Sequence, residues 1–252
     1  MSRFEGRVAV ITGAAQGIGA ATATLLAAQG ASVVVADLTA ERAAATVETI
    51  TAAGGTALAV GCDVADADSV QALVSAAVER FGSLDILVNN AGITRDNLLY
   101  KMGRPDWDAV ISTNLTGIFL CCQAASVPMV AAKYGKIVSL SSRSALGNRG
   151  QVNYAAAKAG VQGITATLAI ELGPYNINVN AVAPGYIATA MTDATAQRVG
   201  YQPEEFQKLA AEQTPLRRVG QPSEVASVIA FLASDEASYV SGQTLYINGG
   251  AR

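Results

Sequence analysis

The chain of 252 residues contains no histidine, so any proton moved near neutral pH must travel by tyrosine, lysine, a carboxylate or water. That absence excludes Ser-His-Asp hydrolases, Cys-His proteases and HExxH zinc enzymes. The three cysteines, Cys62, Cys121 and Cys122, are odd in number, and the adjacent pair has neither redox-motif nor zinc-ligand spacing. They read as reduced core thiols, and no metal is required. Tyr154 and Lys158 stand four apart in the helix-forming stretch Tyr154-Ala-Ala-Ala-Lys158, which places both on one face about one turn apart. A solvated surface pair would satisfy the same spacing. An ammonium beside a phenol lowers its pKa, however, and with imidazole absent Tyr154 is the strongest acid/base candidate.

A second group of residues is suited to phosphate. The apolar stretch Val8 to Thr12 runs into Gly13-Ala14-Ala15-Gln16-Gly17-Ile18-Gly19 and then into a helix. A strand, a glycine-rich turn and a helix N-terminus offer free amides, a favourable dipole and room for a pyrophosphate to approach the backbone. Asp37 lies 20 residues beyond Gly17, at the tip of the next apolar stretch, where a carboxylate can accept hydrogen bonds from adenosine ribose hydroxyls. A 2′-phosphate there would meet a like charge costing on the order of 4 kcal/mol at about 4 Å and an effective dielectric near 20. Gln16 and Leu38 are neutral and Arg42 falls on the next helix, so no offsetting cation is expected and NAD is favoured over NADP. The competing readings are a tight turn with packing glycines and, for Asp37, a helix cap.

These residues need a scaffold, and composition supplies one. With 51% hydrophobic and 15% charged residues the chain can bury a large core. A net charge of −3 provides no basic field for a nucleic-acid backbone. Short apolar stretches alternate with helical ones, the pattern of parallel strands joined by crossover helices. The predicted strands are Val8–Thr12, Val33–Asp37, Ala57–Cys62, Ile86–Val88, Lys136–Leu140, Ile177–Val182 and Thr244–Ile247. The predicted fold is α/β: one doubly wound Rossmann-type domain over residues 1–252 with a seven-stranded parallel sheet. Two long connections, Gly92 to Pro105 and Pro184 to about Pro203, exceed the usual loop length of about 4–6 residues and read as functional, the second opening a substrate loop of about 184–216. No apolar run approaches the roughly 18 residues needed to cross a bilayer, and Met1-Ser-Arg-Phe4 leads into a strand without a signal-peptide core, so a cytoplasmic location without membrane association is expected.

The spacing Thr-Gly-x-x-x-Gly-x-Gly resembles that of the short-chain dehydrogenase/reductase family, and further matches cover nearly the whole chain. They are Asp63-Val64, Asn89-Asn90-Ala91-Gly92, Asn114, the Ser141-Ser142 pair, Tyr154-x-x-x-Lys158 and Pro184-Gly185-x-Ile187-x-Thr189. Within the family, Gly92 to Leu99 and Phe231 to Gly250 are most similar to 3-oxoacyl-acyl-carrier-protein reductases. The resemblance implies a cofactor surface of Gly13, Gln16, Gly17, Ile18, Gly19, Asp37, Asp63, Val64, Asn90, Ala91, Gly92, Tyr154, Lys158, Pro184, Gly185, Ile187 and Thr189. It implies that Lys158 holds the nicotinamide ribose, that Asn114 holds a water relaying protons to the lysine, and that Ile187 and Thr189 anchor the carboxamide. Ammonium and oxidised nicotinamide together would lower the phenol by about 3 units, worth roughly 4 kcal/mol.

For the serine, the family's usual spacing of 13 residues before the tyrosine selects Ser141, whereas strand register selects Ser142 as the residue facing the site. Ser142 is preferred, as a hydroxyl donor to the substrate oxygen. The expected reaction is hydride transfer between NAD(H) and a ketone or secondary alcohol. A 3-oxoacyl thioester is ranked first, and a small or cyclic alcohol, polyol or sugar second. An NAD-binding regulator without catalysis is a further alternative. Tyr186, Met191, Tyr201 and Phe206 are candidates for an apolar lid. The resemblance also implies a homotetramer. Acyl carrier protein is a doubtful partner, because Lys133 stands at one family docking position but Tyr175 at the other.

Overall fold

Successive residues of a strand point to opposite faces, and the strands of this chain are apolar on both, which only a sheet covered on both sides can satisfy. In the computed structural model, Ala9, Ile11, Val33 and Val35 pack into one core and Val10, Val34 and Ala36 into the other. The structure describes residues 2–251; Met1 and Arg252, the ends of the predicted domain, lie outside the described residues.

The strands are β1 (Val8–Thr12), β2 (Ser32–Asp37), β3 (Thr56–Gly61), β4 (Ile86–Asn89), β5 (Gly135–Leu140), β6 (Ile177–Pro184) and β7 (Thr244–Ile247). All pair in parallel, in the order β3-β2-β1-β4-β5-β6-β7. The chain therefore reverses its direction of winding between β1 and β4, and a crevice opens at the carboxyl ends of those strands, where doubly wound sheets bind ligands. Helices α1 (Gly17–Ala28), α2 (Ala40–Ala52) and α9 (Pro222–Leu232) cover one face. Helices α3 (Ala67–Phe81), α5 (Gly117–Ala132) and α6 (Val152–Leu172) cover the other, with α4 (Arg104–Ile111) packed beside α6. The result is the single α/β domain with a seven-stranded parallel sheet that the sequence predicts.

The long connections hold structure of their own. A 3₁₀ turn, Leu99–Lys101, interrupts the first, and the second contains α7 (Ala190–Arg198) and α8 (Pro203–Gln213). Between α4 and α5 lies a π-helical turn, Ser112–Thr116, so that Arg104 to Ala132 form one continuous helical rod. This rod corrects one expectation. Its 29 residues include an 18-residue window of mean hydropathy 1.7, long and apolar enough by those measures to span a bilayer. Here the apolarity serves the core, because Ile118, Cys121, Cys122, Ala125 and Met129 pack against the sheet, α3 and α6. All three cysteines are free thiols, and burial raises the pKa of each.

Candidate active site

The glycine-rich turn leaves β1 and enters α1 with Gly17 at φ 59°, a left-handed conformation that glycine adopts at no steric cost. Gln16 caps α1 without a side-chain hydrogen bond and no acidic residue occupies the first turn, so no carboxylate neutralises the positive end of the dipole. A β-carbon on Gly19 would collide with the Gly13 carbonyl and the Asn90 side chain. Asn90 fixes the turn from the neighbouring strand: its Nδ2 donates to the carbonyls of Thr12 (2.9 Å) and Gly13 (2.8 Å). The backbone N–H groups of Asn90 and Ala91 in turn donate to Thr12 Oγ1 (3.1 Å each). An open turn, a free helix N-terminus and rigid backing suit a pyrophosphate.

A groove of about 410 Å³ runs over this turn, lined by Gly13, Gln16, Gly17, Ile18, Asp37, Asp63, Val64, Asn90, Ala91, Gly92 and Thr189. Of the predicted cofactor residues, Gly19 does not line it and serves instead as a packing glycine. Arg42, set aside in the sequence as lying on the next helix, and Arg95, not assigned there to the cofactor surface, do line it. Arg42 is a correction: its Nε donates to Asp37 Oδ1 at 2.7 Å, so a cation does stand beside the carboxylate. Thr39 caps α2 by accepting from the Arg42 N–H (3.4 Å), which turns the first helical turn back toward the tip of β2.

At the other end of the groove a narrow space of about 130 Å³ contains Ser142, Tyr154, Lys158, Pro184, Gly185, Ile187 and Thr189. It shares Ser142, Tyr154, Pro184 and Gly185 with an adjoining cavity of about 620 Å³. That cavity is lined by Ser142, Asn148, Gln151 and Tyr154 together with Tyr186, Met191, Tyr201 and Phe206. The four expected lid residues thus meet there, with Phe206 contacting the rings of Tyr186 (5.7 Å between centroids) and Tyr201 (5.6 Å). Asn148 and Gln151 were not singled out in the sequence, since their only signal is that they immediately precede the helix bearing Tyr154.

The two serines part company at the end of β5. Ser141 is buried, its Oγ donating to the Lys158 carbonyl (2.8 Å) and accepting from Gln162 Nε2 (3.1 Å). Ser142 faces the cavity, accepts the Ser144 N–H (3.1 Å) and lines the same space as the Tyr154 phenol, whose pKa its hydroxyl lowers. Lys158, one turn on, is buried, with Nζ donating to the Leu140 carbonyl at 2.6 Å and lying 5.5 Å from the centre of the Tyr154 ring. Asn114 sits in the π-turn, fully buried, and its side chain is spent on Ile93: Oδ1 accepts the N–H (2.8 Å) and Nδ2 donates to the carbonyl (2.9 Å). It lines none of the three spaces, and its side chain instead holds the Gly92-Ile93 segment.

The electrostatics differ from the expected lowering of the phenol. Burial pushes Tyr154 up to about 12, opposed only by the Ser142 hydrogen bond and reinforced by the Asp96 carboxylate. Burial also pushes Lys158 down to about 8, because a desolvated ammonium is disfavoured. At neutral pH the phenol therefore keeps its proton.

A family model described as enoyl-(acyl carrier protein) reductase matches residues 13–252. The chain is 49% identical to 3-oxoacyl acyl-carrier-protein reductase FabG of Staphylococcus aureus, the match covering 96% of each chain. It is 47% identical to the short-chain reductase protein NovJ of Streptomyces niveus, covering 96% of this chain and 93% of that one. Among solved structures, a levodione reductase superposes with a TM-score of 0.95 at 38% identity over 98% of both chains. The turn, the crevice and the Tyr154–Lys158 helix lie within these matches, and the chain belongs to the short-chain dehydrogenase/reductase family of nicotinamide-dependent oxidoreductases.

Proposed function

We propose that the protein is an NAD(H)-dependent oxidoreductase that transfers hydride between the nicotinamide ring and a ketone or secondary alcohol. The observation that carries this reading is the position of Ser142, Tyr154 and Lys158 where a dinucleotide-sized groove meets a separate cavity. When bound, the cofactor supplies or accepts the hydride at its C4 carbon, and the chain orients and polarises. Ser142 would donate a hydrogen bond to the carbonyl oxygen and stabilise its developing charge. Tyr154, held protonated, would deliver its proton to that oxygen in reduction and recover it in oxidation. Lys158 would hold the nicotinamide ribose and, when charged, draw the phenol back toward neutrality. Asn114 is assigned to positioning Ile93 and, with the π-turn backbone, to the proton path.

The first-ranked substrate is a 3-oxoacyl thioester, supported by the relatives named for that reaction and by a cavity lined by both polar and aromatic side chains. The second is a small or cyclic alcohol or ketone, supported by the levodione reductase neighbour. The docking position at Lys133 is exposed and basic while Tyr175 offers no charge, so a free thioester is ranked above one on acyl carrier protein. A homotetramer is also proposed: Val127 on α5 and Ile170 on α6 are exposed (71% and 78%), as assembly through those helices requires. A panel read at 340 nm tests the substrate, setting NADH with acetoacetyl thioesters against NAD with polyols, sugars and cyclic alcohols. Turnover of the thioesters is expected; inert thioesters beside one active alcohol class would replace the first reading with the second.

A further inference from the structure

The connection between β4 and α4 grips the first turn of α6, the turn that carries the phenol. The Asn97 N–H donates to the Gly150 carbonyl (2.8 Å). Asn153 Nδ2 donates to the carbonyls of Arg95 (2.9 Å) and Asp106 (3.2 Å), while its Oδ1 accepts the Tyr154 N–H (2.8 Å). Asp96 sits within this grip. Its Oδ2 accepts Gln151 Nε2 (3.1 Å) and faces Arg198 Nη1 (3.4 Å), whereas its Oδ1 is buried with no hydrogen-bond partner among the described residues. A carboxylate 14% exposed thus leaves one of its two oxygens unsatisfied, an arrangement that is costly unless the charge has a use. Arg198, the cation that pairs with it, is the last residue of α7 and also reaches Thr94 Oγ1 (3.5 Å). Because α7 fully buries only Ala196, little packing resists its displacement.

The groups that face the phenol are Ser142 from the end of β5, Lys158 one turn along α6 and Asp96 from the β4–α4 connection. Burial raises the phenol, the Ser142 hydroxyl lowers it, and the Asp96 carboxylate raises it again. We propose that Asp96 and Arg198 are positioning residues that couple the lid to the Tyr154 proton: docking α7 sets the guanidinium on the carboxylate, and undocking it leaves that negative charge beside the phenol without a counter-ion. The inference rests on the reading of Tyr154 as the acid and base. With the lid open, the bare carboxylate holds the proton on the phenol; with the lid seated, Arg198 cancels part of that field and the proton moves more readily.

The test follows the titration of Tyr154 in the NAD-bound protein by tyrosinate absorbance, taken as the difference from Tyr154→Phe. Beside it stands the pH profile of NAD-dependent alcohol oxidation, which needs the deprotonated phenol. Asp96→Asn removes the charge and keeps an acceptor for Gln151. It should move both midpoints down by about half a pH unit or more, a gain of about threefold in oxidation rate on the acid side of the limb. Arg198→Ala should move them up, Arg198→Lys should restore them, and Arg198→Ala added to Asp96→Asn should move them no further. Thermal unfolding identifies the variants that fold. A merely structural role would change stability or KM and leave the midpoints in place. Unmoved midpoints in folded Asp96→Asn, or a shift from Arg198→Ala that persists without Asp96, overturn the proposal. Turnover that survives Tyr154→Phe would instead refute the reading of Tyr154, and the proposal with it.

Discussion

Ser141 and Ser142 are adjacent in sequence and opposite in environment, because successive side chains at a strand's end point to opposite faces. Ser141 ties β5 to the carbonyl of Lys158, and Ser142 meets the phenol. Ser142→Ala should therefore lower turnover by about 10²-fold or more, the scale of losing one preorganised donor. Ser141→Ala should act mainly on stability, by about 1 kcal/mol for one buried hydrogen bond. Steady-state rates and thermal unfolding of both variants separate the two effects, and a larger rate loss at Ser141 would contradict the assigned geometry. Strand register made this distinction readable from sequence. The Asp37–Arg42 pair was not, since it depends on where the Thr39 cap aims the first turn of α2. The rise of the phenol to about 12 was equally hidden, because burial of a side chain is a property of the fold.

The strands and the Ala-rich helices were legible because a two-sided apolar strand and a 3.6-residue period leave few alternatives. Helices α7 and α8 were not, being short and polar: α8 buries no residue fully and α7 only Ala196. They are held by side chains that a periodicity argument cannot weigh. Thr189 and Thr192 cap α7 reciprocally, and the aromatic contacts of Phe206 hold α8 over the cavity. At the far end of α7, Arg198 pairs with Asp96 (3.4 Å), whose same oxygen accepts from Gln151 (3.1 Å), three residues before Tyr154. This chain of contacts joins the lid to the catalytic helix. A partly exposed ion pair is worth up to about 1 kcal/mol, so Arg198→Ala should raise KM for the carbonyl substrate about fivefold and change kcat little. An unchanged KM would show that the aromatic contacts alone hold the lid. The π-turn was likewise invisible, as its residues favour ordinary helix; it is the irregular segment that turns Asn114 toward Ile93.

Across the whole molecule, the edge of the sheet opposite the crevice is locked by charge. Lys136 is buried at the start of β5, where Nζ donates to Asn178 Oδ1 (2.7 Å) and lies 3.6 Å from Asp235. Asp235 also accepts from the Tyr134 hydroxyl (3.0 Å), and the Arg7 guanidinium lies 3.7 Å from the centre of the Tyr134 ring while pairing with Asp85 and Asp235. Asp235 is two-thirds exposed, so its removal should cost about 1–2 kcal/mol, below the range for a fully buried pair. Adding Lys136→Met should return part of that loss by removing the uncompensated cation, and denaturant unfolding of the single and double variants measures both. A double variant less stable than Asp235→Ala would show that Asn178 alone satisfies the lysine.

This cluster stands at the amino ends of the strands, and the carboxyl ends are where the candidate site lies. The central claim is that the Tyr154 hydroxyl is the proton donor and acceptor at the junction of groove and cavity. It is tested most directly by comparing Tyr154→Phe with the wild-type protein in NADH binding and in turnover of whichever carbonyl the protein reduces. Removing one oxygen leaves the groove untouched, so NADH affinity should stay within about threefold while turnover falls at least 10²-fold, the usual contribution of a positioned acid. Turnover within tenfold of wild type at preserved NADH affinity would contradict the account, since the proton would then be reaching the substrate by another route.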